Sequence, residues 1–159
     1  MQVDYHKFES ALRKLGQDAE EEKLCVEDLI AIHNKAVELY GGEYGVRDHR
    51  LLESVCVAPH QGCFGQDLYP TVFDKAAKYL VDFCRYQIFA DGNKRTGVLA
   101  MQTELLINGY DINMTNEDIY ELAMAIANNR NFDITSISQK IHDCCVLIDI
   151  DREPEYDLQ

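Results

Sequence analysis

The sequence predicts an all-α fold, a bundle of six to seven helices with one short flap or hairpin, and three observations carry that expectation. Apolar residues recur at three- and four-residue spacing through most of the chain. Glycine, proline and capping residues divide that pattern into helix-sized lengths. The 159 residues, 47% of them hydrophobic, supply core for one domain.

The elements follow in chain order. Residues 1 to 15 carry a weak helical pattern at Tyr5, Phe8, Leu12 and Leu15, and Gly16 to Lys23 reads as an acidic linker, so residues 1–23 form an N-terminal extension. The main domain is expected over residues 24–148. Its first helix, Val26 to Tyr40, repeats Leu29, Ile30, His33, Val37 and Tyr40 and stops at Gly41-Gly42. A second covers Arg47 to Ala58 and ends before Pro59. The Gly-rich stretch that follows suits the flap. Pro70 at a first-turn position opens a long helix with Val72, Phe73, Ala76, Leu80, Phe83 and Cys84 on one face, carrying Gln87 to its end.

Asn93 to Asn108 reads as the most buried helix, closed by Gly109. After the apolar-polar alternation of Tyr110 to Met114, Asn116 caps a helix through about Ala127. The last helix is expected from Ile134 through Ile148, and residues 149–159 are an acidic tail.

Composition excludes several function classes. A formal net charge of −13 argues against a nucleic-acid surface, which needs clustered Lys and Arg. No apolar run is long enough to span a bilayer and no targeting segment is evident, so a soluble cytoplasmic protein without a membrane partner is expected. The six cysteines show no C-x-x-C pair and read as reduced thiols.

The chemistry concentrates in Phe89-Ala90-Asp91-Gly92-Asn93-Lys94-Arg95-Thr96-Gly97. A small-residue turn there delivers a carboxylate, an amide and two adjacent cations to the first turn of a helix. Unpaired N–H groups and a partial positive charge make a helix N-terminus a seat for an anion. Arg95 can fork onto phosphate oxygens, Lys94 offers a point charge, and Asp91 can hold a magnesium ion. The same string also suits a plain helix start, with Asp91 or Asn93 as cap and solvated cations behind it. Phe89 reads as an anchor pinning the turn into the core.

The longer string from Gln87 to Gly97 resembles the signature of the Fic/Doc family, His-x-Phe-x-Asp/Glu-Gly/Ala-Asn-Gly/Lys-Arg, at every position but the first. The resemblance extends through Tyr40-Gly41-Gly42, Gly45-Val46-Arg47-Asp48, Tyr69-Pro70-Thr71 and Lys75-Ala76-Ala77, covers roughly residues 24 to 143, and looks closest to the Doc (death-on-curing) toxin branch. It implies a Fic/Doc-type helical bundle that uses ATP and Mg2+ to modify a hydroxyl of a protein target. Asp91 would hold metal, and Gly92, Asn93, Lys94 and Arg95 the nucleotide.

In the family the leading His takes the proton from the attacking hydroxyl, and here that position is Gln87. A carboxamide can orient a hydroxyl but cannot accept its proton. General-base help is typically a factor of about 10² to 10⁴, so a slow or silent enzyme with an intact nucleotide site is expected. Three explanations stand side by side: a natural pseudoenzyme acting as a binding module, a base supplied from elsewhere, or an inactivating His→Gln change. The nearest substitute base is His60, in the stretch with Gly62 and Gly65 where the family places its flap; the alternative is a solvent-exposed loop histidine. His33, His49 and His142 sit in helical patterns with ordinary surface or core readings.

Most Fic proteins carry Gly where this chain has Lys94, and the Doc-like Lys implies delivery of the terminal phosphate, hence phosphorylation rather than AMPylation, with a translation factor as the type of target. No inhibitory Ser/Thr-x-x-x-Glu-Gly/Asn string is present: Ser10, Thr115 and Ser138 lack Glu four residues on. The resemblance therefore implies inhibition in trans by an antitoxin folding into a groove. Residues 1–23 could occupy that groove, mediate a homodimer, or form an ordinary packed helix.

Overall fold

The computed structural model describes residues 23–129 and 132–148. The extension before Lys23 and the tail 149–159 lie outside the described residues. In order come α1 (Val26–Tyr40), α2 (His49–Val57), a 3-10 turn (Ala58–His60), β1 (Gly62–Cys63), β2 (Gln66–Asp67), α3 (Val72–Arg85), α4 (Asn93–Ile107), β3 (Tyr110–Ile112), α5 (Asn116–Asn128), α6 (Ile134–Cys144) and β4 (Cys145–Leu147). The fold is mostly helical, with six α-helices and two two-stranded antiparallel sheets among the described residues.

Polar residues start the helices. Asp48, Thr71, Thr115 and Asp133 each accept a hydrogen bond from a first-turn N–H of α2, α3, α5 and α6, worth about 1 kcal/mol apiece. Thr71 and Asp74 cap one another reciprocally.

The helices stack in three layers, because α3 and α4 bury both of their faces. Tyr79 and Phe83 of α3 and Leu99 and Ala100 of α4 close one core with Leu29, Ile32 and Ala36 of α1 and Leu52 and Val55 of α2. Ala76, Leu80, Met101 and Leu105 close a second with Ile119, Leu122 and Ile126 of α5 and Ile137 and Ile141 of α6. Where α3 crosses α4, the helices meet through Gly97: a Cβ there would stand 2.7 Å from Phe83 Cβ and 3.4 Å from the Leu80 carbonyl oxygen.

Several boundaries differ from the sequence expectation. The chain stops being helical at Cys145, where Cys145, Val146 and Leu147 pair with Ile112, Asp111 and Tyr110. The run 144 to 148 is compatible with either state, and the partner strand decides it. Helix α3 starts after Thr71, leaving Pro70 outside, and ends at Arg85, so Gln87 follows the helix rather than finishing it. The second helix starts at His49 rather than Arg47 and ends at Val57, before Pro59 as expected, and Pro59 sits inside the 3-10 turn that follows, where its missing N–H costs nothing. Thr115, not Asn116, caps α5. The flap is a hairpin, with Gly62 opposite Asp67 and Cys63 opposite Gln66, turned by Phe64 and Gly65 at φ 51° and 77°.

Two outcomes test this packing. Gly97→Ala should destabilise the fold by about 1–3 kcal/mol in urea unfolding, since neither helix backbone can yield without opening both cores. Glu104 of α4 is 1% exposed and its Oε2 has no hydrogen-bond partner among the described residues. Burial pushes its carboxyl up to about 7 against the pull of Lys75. An acid raised in the folded state binds extra protons there, so its stabilising effect is complete below about pH 4.5 and is lost as pH rises through 7. The loss should be on the order of 3 kcal/mol and should vanish from the stability–pH curve of Glu104→Gln.

Candidate functional site

The turn between α3 and α4 is held from three sides. Its first support is a neighbouring strand-like segment. Arg47 and Asp48 donate backbone N–H bonds to the Ile88 carbonyl at 2.9 and 3.1 Å, Ala90 N–H reaches the Gly45 carbonyl at 3.0 Å, and Val46 bridges Phe89. The second support is apolar: Ile88 and Phe89 are fully buried, and the Phe89 ring lies flat against His33, with centroids 3.8 Å apart and planes 2° from parallel. The Phe83 ring lies nearly parallel to it, with centroids 6.1 Å apart.

The third support is Asn93. Its Oδ1 accepts from Phe89 N–H at 2.8 Å and its Nδ2 donates to the Phe89 carbonyl at 3.0 Å. With both ends of the amide spent on the turn and the residue buried, Asn93 closes the loop on itself. It thus satisfies two buried backbone groups that no strand or helix reaches.

Beyond Phe89 the chain reverses at Asp91 and Gly92. Gly92 sits at φ 76°, ψ 23°, the left-handed region that glycine enters without steric cost, and its N–H donates to Asp91 Oδ1 at 2.8 Å. The Asp91 carbonyl points inward, 2.7 Å from His33 Nε2, while its side chain is exposed. Gly42, at φ 113°, passes under that carboxylate so closely that a Cβ would fall 2.8 Å from Oδ2. Helix α4 then begins at Gly92 with no capping side chain, unlike α2, α3, α5 and α6. Its first N–H groups and the positive end of its dipole lie beside the Asp91 carboxylate, Lys94 and Arg95.

Lys94 and Arg95 are half-buried in that first turn. The Arg95 guanidinium lies over the Tyr40 ring, 5.3 Å from its centroid, a cation–π contact that stations the charge at the end of α1. Lys94 is near enough to Cys84 to favour its thiolate, although burial dominates and pushes that thiol up to about 12.

The chemistry of this donor set fits a magnesium–nucleotide pair. The described residues contain no group of three or more metal-ligating side chains, so they offer no all-protein cage. Magnesium in phosphate sites needs only one or two carboxylates and takes its other ligands from water and phosphate oxygens. The exposed Asp91 carboxylate meets that requirement, and an uncapped helix start with two cations meets that of the phosphates.

Of the residues singled out from the sequence, Phe89, Asp91, Gly92, Asn93, Lys94 and Arg95 fall in this one turn. Gln87 lies at its entrance, exposed, with Oε1 accepting a long 3.4 Å bond from Asn93 Nδ2. His60 is placed elsewhere, at the end of the 3-10 turn before the hairpin strands that hold Gly62. Burial and the Lys23 and Lys75 cations push its imidazole below the ordinary value, against Asp67. Lys75 lies in the first turn of α3, ten residues before the end that leads to Gln87, which is about 15 Å of helix axis. His60 therefore belongs to the 3-10 turn and is not among the residues that form the turn between α3 and α4. His33 and Gly42 enter the site although the sequence reading assigned them no part in it. For His33 the available signal was a polar ring on the apolar face of α1, between Ile32 and Ala36.

Known proteins share these segments. A model of the Fic/DOC family matches residues 23–105. The chain is 35% identical over 108 residues to Toxin Doc of Mycolicibacterium smegmatis (strain ATCC 700084 / mc(2)155), a match that spans 64% of this chain and 79% of that protein. It is 33% identical over 86 residues to Protein kinase doc of Escherichia phage P1, spanning 54% of this chain and 68% of that protein.

Asn93→Ala should cost about 1–3 kcal/mol for each Phe89 backbone group it leaves buried and unpaired, measured by chemical unfolding. Asn93→Asp, which keeps the acceptor, should cost less. Equal stability of Asn93→Ala and the parent chain would show that the amide does not hold the turn.

Proposed function

This chain belongs to the Fic/DOC family, and from that premise we propose that it is a Doc-like toxin built to transfer the terminal phosphoryl group of ATP to a hydroxyl of a protein target. The observation that supports this reading is where the family match falls. Residues 23–105 include α1 with His33 and Tyr40, Gly42, the Gly45–Asp48 segment and the whole turn, which are the parts that form and brace the candidate site. The two relatives are named as a toxin and as a protein kinase.

In this reading the β- and γ-phosphates lie against the first turn of α4, with Arg95 neutralising oxygens and Lys94 setting which phosphate faces the target. Asp91 would hold a magnesium ion, whose charge would offset that of the phosphates. The target oxygen attacks the γ-phosphorus as the bond to ADP breaks, and the hydroxyl proton must leave. At that point Gln87 can orient the hydroxyl through its carboxamide but cannot take the proton, so catalysis is impaired. The partner implied for such a toxin is an antitoxin chain that inhibits it in trans.

Labelled ATP tests both competence and reaction type. Gln87→His should raise transfer to a protein in lysate by about 10² to 10⁴ over the parent chain, with label from the γ- and not the α-position. Transfer of α-label instead would make the chain an AMP transferase. No transfer at all, with MgATP still raising the melting temperature, would leave a nucleotide-binding module without catalysis.

A further inference from the structure

We propose that His33 is a positioning residue for the phosphate turn, the side chain through which α1 sets the orientation of the Asp91-Gly92 peptide. This proposal rests on the nucleotide reading above for its consequence, though not for its geometry.

Four observations converge on one imidazole. The ring is completely buried. Nε2 stands 2.7 Å from the Asp91 carbonyl oxygen. One face covers the Phe89 ring at 3.8 Å and 2°. Gly92 lies directly over Nε2, where a Cβ would come within 3.7 Å.

The hydrogen bond fixes more than one atom. A carbonyl oxygen can only accept, so Nε2 carries a proton, while Nδ1 is enclosed and has no hydrogen-bond partner among the described residues. The Asp91-Gly92 bond is planar and trans, so C=O and N–H point in opposite directions. Holding the carbonyl inward at His33 therefore turns the Gly92 N–H outward, to the exposed side where it meets Asp91 Oδ1. Outward rotation of this peptide is what places the Asp91 carboxylate beside the open start of α4.

A ring without a donor would keep the stacking and lose the peptide. A donor without a ring would keep the peptide and lose the stack. These two functions of His33 can thus be separated by His33→Phe and His33→Gln in the full-length chain.

The test has one arm with nucleotide and two without. In the unliganded parent chain, ¹⁵N NMR of the imidazole should show a proton on Nε2; an unprotonated Nε2 would overturn the proposal without any variant. Amide exchange of Gly92 to Thr96 should quicken in His33→Phe while Val98 to Leu105 stays protected. With MgATP, His33→Phe should bind about tenfold more weakly than the parent, the equivalent of one neutral hydrogen bond, and His33→Gln should recover part of that loss. Equal exchange and equal affinity in His33→Phe and parent would overturn the proposal. Should the parent chain not bind MgATP at all, the nucleotide reading falls, and the tautomer and exchange results alone decide for or against His33.

Discussion

The clasp of the Asn93 side chain on both backbone groups of Phe89 is the constraint on which the rest of the site depends. A turn of this kind has to enter the core, because Phe89 is too large and apolar to be left in water, yet its backbone has no ladder or helix to satisfy it there. One amide solves both halves of that problem. It does so from the first position of α4, so the turn and the helix N-terminus become a single rigid unit. Every charged group that matters then hangs from this unit at a set place.

The scaffold gives that unit its outward face. Helices α3 and α4 are covered on both flanks, and Gly97 lets them approach backbone to backbone. Such a pair has little room to shift against itself. From the α1 side come three separate braces: the His33 ring beneath Phe89, Tyr40 beneath Arg95, and Gly42 beneath Asp91. The Gly45–Asp48 segment adds backbone pairing along the turn's edge. What the turn brings together is one exposed carboxylate, two half-buried cations and a helix start with no capping side chain, a set whose chemistry suits metal-bound phosphate.

In the proposed function, residue 87 separates the two halves of the chemistry. Holding a phosphate depends on fixed charges and dipoles, and those belong to the turn. Accepting a proton depends on a single titrating group, and Gln87 has none. The geometry of the turn is consistent with this separation, because the Gln87 carboxamide makes only a long contact to Asn93 and carries none of the load that holds Phe89. The turn therefore does not depend on Gln87 for its shape.

Much of this was legible in the sequence. Helical periodicity marked six of the elements, and the string from Phe89 to Gly97 placed the candidate turn, because both signals are local: a repeat of 3.6 residues and a dense run of residue types. The stop of α6 at Cys145 was not legible, since an apolar run takes the strand state only when a partner strand is at hand. Nor were His33 and Gly42, which stand 58 and 49 positions before Asp91 and touch it only after α1 docks. His60 stands in the 3-10 turn ahead of the hairpin, as its place in the sequence beside the flap suggested. The sequence by itself determined which side chains could handle phosphate, because charge and hydrogen-bonding capacity belong to the residue. Only the tertiary structure decided which of them share a site and what supports them, because contacts between distant segments exist only once the cores have closed.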